Sequence, residues 1–419
     1  NLLKKYSFTH LYSHEETGNL ISFQRDREVA CWCKMRGIIW TEISQNSVLR
    51  GGNAQMRRKN STSLDLRKTK PIPSPKQIRS PLIRSVPIRK WSWNELGARL
   101  PKFSGCSMLP ALQKVNEKNA WATLGSFFGS RAYYYSGGIS SPNKAFKNGS
   151  RLSVHLAWGT ISLRSVFSQL ELKRNELDEE KGRTSWKRSL RAFESRLYWR
   201  DHFIQRLESV SDMEVRVLNR AYENLEYEDN PDHLESWLAG KTGYPMVDAC
   251  MRCLNETGFM NFRMRAMLVS FACFGLHLSW RTIHQPLARL FTDYEPGIHL
   301  SQIQMQAGVI GINALRVYSP SKQFLDHDPA AQFVKRWVPE LADRTPAEIA
   351  HAEECNIPEY DRPIVNQSVR SKKMKDQIYL IRKSDEGRFQ SSKTLQSHGS
   401  QKKISRKRKP KNNGQLELF

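Results

Sequence analysis

The stretch Trp237–Phe271, WLAGKTGYPMVDACMRCLNETGFMNFRMRAMLVSF, constrains this chain most. Pro245 stands where a first helical residue is expected, because its missing N–H leaves nothing unsatisfied there. Behind it Met246, Val247, Cys250, Met251 and Leu254 recur at helical spacing, and Gly258 supplies the stop. A second helix follows at once and carries Arg263 and Arg265 among methionines and Phe271. Arginines inside an apolar helical hairpin require anionic partners, since an unpaired buried charge is costly. Asp293 and Glu295 are the nearest downstream candidates. A buried ion pair adds little stability, so a bound ligand is the expected reason for keeping one.

The remaining pattern divides the chain. Residues 1–50 read as α/β: a strand over Phe8–Tyr12, an amphipathic helix over Ser22–Arg36 stopped by Gly37, and a strand over Ile38–Ile43. The first residue is Asn1, and the opening sequence resembles the middle of a domain, so a fragment of a Rossmann-like unit is expected. Residues 51–90 hold eleven Lys/Arg against one acid and include KPIPSPKQIRSP, the composition of an extended linker. From residue 91 to about residue 366 the pattern is helical, with long helices expected over Trp186–Ser209 and Asp212–Leu225. Residues 367–419, rich in Lys, Ser and Gln, are expected to be a disordered basic tail. The fold class expected is mainly α, a helical domain over 91–366 preceded by an α/β remnant.

A net charge of +25 points to a polyanionic partner, and it is clustered: residues 370–419 carry fifteen Lys/Arg and four acids. A basic surface without specialisation is the alternative. Seven scattered cysteines argue for a reducing compartment rather than a disulfide framework. Cys250-x-x-Cys253 has no second pair at zinc spacing and reads as two buried thiols, so no metal is expected. No run reaches the ~18 apolar residues of a membrane span. The expected compartment is cytoplasmic and nucleoid-associated in a bacterium, or a nucleus or organelle in a eukaryote.

Several motifs then fall in one order. The hairpin reads G-x-T-G-Y-P-x-V-D-A-x-M-R-x-L, with an R-x-R helix and the acidic loop Asp293–Glu295 behind it. Asp328-Pro329 follows, and then Trp337-Val338-Pro339-Glu340-Leu341. This series resembles the flavin-binding core of the photolyase/cryptochrome family. Ser150-Arg151-Leu152-Ser153 is similar to the family's T-S-x-L-S phosphate turn, and Tyr198-Trp199-Arg200-Asp201 to its W-R-D/E helix. His14–Gly18 and Gln24–Asp26 resemble the end of its N-terminal α/β domain.

The resemblance implies FAD as cofactor; an antenna chromophore of folate or deazaflavin type is compatible with it, its identity left open by the sequence. By their own chemistry, Ser150, Arg151, Leu152 and Ser153 can present hydroxyls and backbone N–H groups to a diphosphate at a helix start. The alternative is a serine serving as an ordinary helix cap. Tyr135 is expected to cover the dinucleotide, although any of the three consecutive tyrosines Tyr133, Tyr134 and Tyr135 can serve. Arg265 with Asp293 is placed beside the isoalloxazine ring, where a cation lowers the energy of the reduced, negatively charged form. A purely structural ion pair is the competing reading. Glu295 stands where the family has aspartate, and His299 falls where the resemblance places a residue opposite the flavin N5, a position at which an imidazole can exchange a proton; a structural histidine is the alternative.

Trp199 is similar to the tryptophan that stacks an extruded base pair, an interaction of ~1–3 kcal/mol per base; a core tryptophan is the alternative. Arg200 beside it is assigned to phosphate or flavin. Trp280 matches the middle member of the family's photoreduction chain, and Tyr227 falls near the outer one. The sequence also departs from the family. The W-Q-W strip is Ile303-Gln304-Met305, leaving Gln304 and Met305 as substrate-facing candidates, and Arg196 and Phe262 replace an acid and an asparagine.

The reaction implied is light-driven electron transfer from reduced FAD to a pyrimidine dimer flipped from DNA. The alternatives are a cryptochrome-like photoreceptor, and a nucleic-acid-binding protein with a vestigial flavin site. At the C-terminus the run Lys402–Lys411 suits phosphate contacts. Gln415, Leu416, Leu418 and Phe419 resemble the peptide by which bacterial proteins dock on a sliding clamp.

Overall fold

The computed structural model describes residues 8–53, 56, 71–73, 75–77, 112–178, 184–355 and 357–399. Most of the linker lies outside these residues, as do the basic run at 402–411 and the clamp-like Gln415–Phe419.

The N-terminal segment is a β-α-β unit. Strands β1 (His10–His14) and β2 (Ile39–Ile43) pair in parallel, His10 opposite Ile39, with helix α1 (Leu20–Met35) between them. Parallel strands need such a crossover. Polar contacts hold this unit to the helical body. Arg50 meets Asp26 at 3.0 Å and Glu208 at 3.3 Å, and the Gln205 side chain bonds the Leu49 backbone in both directions, at 2.7 and 3.0 Å.

The body is built of helices, chiefly α2 (Glu117–Gly129), α3 (Ser153–Ala157), α4 (Leu163–Asp178), α5 (Thr184–Ser209), α6 (Pro231–Ala239), α7 (Pro245–Thr257), α8 (Phe262–Ser270), α9 (Trp280–Leu290) and α10 (Pro296–Gln306). Behind them run α11 (Pro320–His327) and α12 (Gln332–Trp337). The largest core gathers around α7 and α8, where Met246, Val247, Cys250, Met251, Leu254, Met264 and Phe271 are buried. Gly258 ends α7 at φ 63°, the left-handed conformation glycine adopts without cost.

Two of the motif residues turn out to hold backbone. Asp248 is fully buried and accepts from the Thr242 N–H (2.8 Å), the Thr242 hydroxyl (2.6 Å), the Gly243 N–H (3.1 Å) and the Tyr360 hydroxyl (2.5 Å). Asp328 accepts from the N–H groups of Phe333 and Val334 at 2.9 and 3.0 Å and thereby starts α12.

The structure differs from expectation in two segments. Asp212–Leu225 is not one helix but two short 3-10 turns, Ser211–Glu214 and Arg220–Tyr222. The Gln304 side chain takes over the missing ladder, accepting from the Leu218 N–H (2.8 Å) and donating to the carbonyls of Met213 (3.0 Å) and Arg216 (2.9 Å). Residues 367–398, expected to be disordered, form α13 (Gln367–Lys383) and α14 (Asp385–His398). Their few apolar anchors, Met374 and Ile378, are joined by polar ones: Gln367 donates to the Tyr318 carbonyl (2.9 Å) and Arg370 to the Gly275 carbonyl (2.7 Å). Among the described residues no helix is long and apolar enough to cross a membrane.

Candidate functional site

The turn before α3 is held from below by Arg131. Its guanidinium donates to the carbonyls of Gly149, of Ser150 (3.3 Å) and of Thr123 (2.9 Å), and its pKa is lowered by burial. Above this clamp Arg151 sits at φ 59°, a conformation that costs a non-glycine residue roughly 1–2 kcal/mol and marks a position held for a purpose. Its guanidinium lies 3.6 Å from the Phe259 ring centroid, and its Nη1 is buried with no hydrogen-bond partner among the described residues. Burial lowers the Arg151 pKa to about 10; Asp293 opposes the shift, and Arg265 and Arg131 add to it. Leu152 points into the core, Ser150 is half-buried, and Ser153 is exposed at the start of α3. Arg131, Lys147 and Arg151, with Tyr134, Phe146 and Asn148, line a cavity of about 580 Å³. A concave, cationic site with an unsatisfied buried N–H suits an anion.

Next to this turn stands the ion pair. Arg265 Nη2 donates to both carboxylate oxygens of Asp293 at 3.0 Å, and its Nε donates to the Met260 carbonyl at 2.7 Å. The guanidinium stacks on Phe291 at 4.0 Å. The same loop meets α3, where the Trp158 indole donates to the Thr292 carbonyl at 2.9 Å. His299 is buried behind Asp293, with its Nε2–H donated to the His284 carbonyl at 2.9 Å. Burial lowers its pKa to about 3, so the ring is neutral and its Nδ1 carries a free lone pair. Arg263 does not share the acids; it lies 6.0 Å over Tyr318.

Arg200 and Glu295 form the second pair, at 3.2 Å, and Arg200 also donates to the Asn46 side chain of the N-terminal unit at 2.7 Å. Burial raises the Glu295 carboxyl against the pull of Arg200. Both groups are thus engaged with protein, unlike the assignment of Arg200 to phosphate or flavin. Trp199, the neighbour of Arg200, stacks on Phe203 (5.4 Å), meets His202 edge-on (5.3 Å) and lines a second cavity of about 310 Å³ with Arg191, Ser195 and Tyr198. Helix α5 crosses α10 so closely at Gly297 that a β-carbon there would lie 2.6 Å from the Ile204 Cα.

Three assignments move. Tyr135 does not face the cavity: it is buried among Phe127 and Phe193 and meets Arg196, and burial pushes its pKa up to about 12. The exposed ring at the cavity is Tyr134. Gln304 is fully buried, with both amide N–H groups and its oxygen bonded to the 213–218 loop, so it faces that loop rather than a substrate pocket. Met305 is half-buried against Leu207, Met213 and Leu300.

Trp280 is fully buried. From it a line of rings leads to the Arg265–Asp293 pair: Trp280 to His284 (6.0 Å), His284 to His299 (6.4 Å), and His299 to Tyr294 (5.2 Å) and Phe291 (6.1 Å). Ile303 takes no part in it. Sequence reasoning passed over His284, Phe291 and Tyr294, and over Arg131 and Lys147. The clue for the rings was their nearness in sequence to Asp293 and His299, His284 on α9 and Phe291 and Tyr294 in the loop before α10, and for Lys147 its place just before the serine turn.

Comparison with known proteins bears on the family resemblance and the fold. Residues 193–379 match the family model for the FAD binding domain of DNA photolyase. The chain is 32% identical over 233 residues to the deoxyribodipyrimidine photo-lyase of Halobacterium salinarum, covering 53% of this chain and 47% of that one. It is 30% identical over 262 residues to that of Escherichia coli, covering 60% and 53%. The chain therefore spans about half the length of the curated relatives it matches. In fold it is similar to a class III photolyase of Agrobacterium tumefaciens (TM-score 0.76, 19% identity, 91% of this chain and 81% of that one). It is also similar to a Synechocystis cryptochrome (TM-score 0.72, 21% identity, 90% and 80%). Residues 193–379 are thus similar to the FAD binding domain of DNA photolyase, and the chain shares its helical fold with photolyase and cryptochrome structures.

Proposed function

We propose that this protein is a light-dependent DNA repair flavoprotein of the deoxyribodipyrimidine photo-lyase type. The observation that carries this reading is the meeting of Arg151, Arg265, Asp293 and His299 in one poorly solvated region. These residues fit FAD: Arg151 Nη1, unpartnered among the described residues, and the cationic cavity suit its diphosphate, and the Arg265–Asp293 pair suits the polar edge of its ring. When bound, FAD supplies light absorption and the transferable electron.

The protein's own part is to orient and to exclude water. Arg265 holds positive charge where negative charge develops, in a site preorganised by Asp293 and the Met260 carbonyl. His299, neutral and pinned through Nε2, presents Nδ1 as a fixed acceptor. Trp199, at the mouth of the smaller cavity, offers a half-buried aromatic surface to an extruded base. The net charge of +25 supports DNA as the partner.

A cryptochrome-like photoreceptor is the second reading. It is favoured by Ile303 and Met305 in place of tryptophan and by the fully engaged Gln304, which together remove one wall of a dimer pocket. Chemically reduced protein, given defined cyclobutane and (6-4) lesions under blue light, separates the two. Restored pyrimidines support repair; intact lesions with FAD bound support signalling.

A further inference from the structure

Three consecutive carbonyls of the turn before α3 are each held by a side chain from elsewhere. Arg131 donates to those of Gly149 and Ser150, and the third, that of Arg151, accepts from Gln113 Nε2 at 2.9 Å. Gln113 stands just before α2 and lines the cavity of about 580 Å³. Its neighbour Leu112 reaches the other wall of the site, where a β-carbon at Gly258 would meet both Leu112 and Thr292, the residue next to Asp293.

The second N–H of the Gln113 amide also has a partner. His155 Nε2 lies 3.2 Å from Gln113 Nε2, and an amide nitrogen only donates, so the imidazole nitrogen accepts. The ring proton is then on Nδ1, which donates to the Thr160 hydroxyl at 3.0 Å, and that hydroxyl donates to the His155 carbonyl at 3.3 Å. His155 is fully buried. Around it are the uncharged Gln113, Thr160 and, from α2, Thr123 at 3.5 Å; the charge that acts on it is Arg151 of its own turn. Arg131 stands behind Thr123, bonded to its carbonyl. Burial first, and then Arg151, lower the His155 pKa, so the ring is neutral at pH 7.

Arg151 keeps its left-handed φ of 59° only because its surroundings impose it. A carbonyl left free there would also repel an anion approaching the turn. A protonated His155 would donate from Nε2 instead of accepting. The Gln113 amide could then meet it only by rotating, which sets the amide oxygen against the Arg151 carbonyl and breaks the hold.

We propose that Gln113 is a positioning residue for Arg151, fixing the anion-binding shape of the turn through a bond that lasts while His155 is an acceptor. The inference rests on the reading of Arg151 as a contact for the FAD diphosphate, and it adds a proton-sensitive latch to that site.

The test takes two measurements on the full chain. Without cofactor, modification of Arg151 by phenylglyoxal at pH 8 is followed by mass spectrometry; Gln113→Ala should speed it several-fold, as the turn no longer holds the guanidinium on Phe259. With FAD, affinity is read from quenching of flavin fluorescence between pH 8 and pH 5. Gln113→Ala and Gln113→Glu should each weaken it about tenfold at the upper end, the loss of one hydrogen bond. In the wild type affinity should fall as pH drops below 6.5, the ordinary histidine value. His155→Gln supplies an acceptor that does not titrate and should flatten that fall. So should Gln113→Glu, whose carboxylate pairs with the charged imidazole. Arg151 reactivity unchanged by Gln113→Ala would overturn the positioning role, and a pH profile unaltered in His155→Gln and Gln113→Glu would overturn the latch. Raised reactivity in a protein that takes up no FAD would uphold the positioning role and sink the flavin reading instead.

Discussion

Arg265 and Asp293 meet with both carboxylate oxygens 3.0 Å from a single guanidinium nitrogen, while Asp293 also acts on the charge of Arg151 across the site. The aspartate thus serves two arginines that come from different parts of the chain. Asp293→Asn removes the carboxylate that acts on both arginines. FAD affinity should fall by a factor corresponding to about 2–5 kcal/mol, and Arg265→Ala should do the same. Absorbance of the purified protein, before and after adding FAD, measures the loss. Wild-type yellow colour in both variants would remove this pair from the cofactor site.

His299 makes stability depend on pH. Its pKa is near 6.5 in the unfolded chain and lowered to about 3 by burial in the folded one. Between those values the unfolded chain binds a proton that the folded chain refuses, so stability is lost as pH falls from about 6.5 toward 3. Denaturant unfolding from pH 7 to pH 4 should show this decline, and His299→Asn should flatten it. An equal slope in the variant would mean that other groups, such as His398, dominate.

Photoreduction should not require an aromatic at position 303. The rings of His284, His299 and Tyr294 connect Trp280 to the ion pair. Trp280→Phe should slow light-driven bleaching of the oxidised flavin, and Ile303→Trp should speed it. If Trp280→Phe bleaches at the wild-type rate, electrons come from elsewhere.

Gln304 should matter for stability alone. Truncation to alanine strands the Leu218 N–H and the carbonyls of Met213 and Arg216 in a buried loop, a cost of about 3 kcal/mol. The denaturation midpoint should drop while the flavin spectrum of the folded protein stays the same. A changed substrate affinity at unchanged stability would restore Gln304 to the substrate pocket.

Affinity for DNA should fall steeply with salt, because the release of counterions from several phosphates favours binding less as salt rises. Removing residues 400–419 should flatten that dependence and leave flavin content unchanged. An identical salt slope would exclude the tail from the contact.

What could be read from the sequence was what is local. The start and stop of α7 follow from Pro245 and Gly258, and Arg265 with Asp293 follows from the need of a buried cation for an acid. Facing was not legible: consecutive helical residues point about 100° apart, so which of Tyr134 and Tyr135 reached the cavity depended on a helix rotation that three tyrosines in a row do not reveal. Gln304 was misread because its partners lie in a loop some 90 positions away in the chain, where tertiary contact rather than periodicity decides. The helices over 367–398 were missed for a related reason. Their sequence is polar, and what docks them is Gln367 and Arg370 bonding to carbonyls that no pattern announces.

The crossing of α5 and α10 at Gly297 separates what must stay fixed from what is free to vary. Backbone touches backbone there, so the distance between Trp199 and the acidic loop is set by two main chains. Side chains further along α10 hang beyond that hinge pin. Ile303 and Met305 could therefore be exchanged for other residues while the helices kept their spacing, which makes the aromatic strip an interchangeable fitting. A single methyl at position 297 would do more harm to the geometry than both of those replacements together.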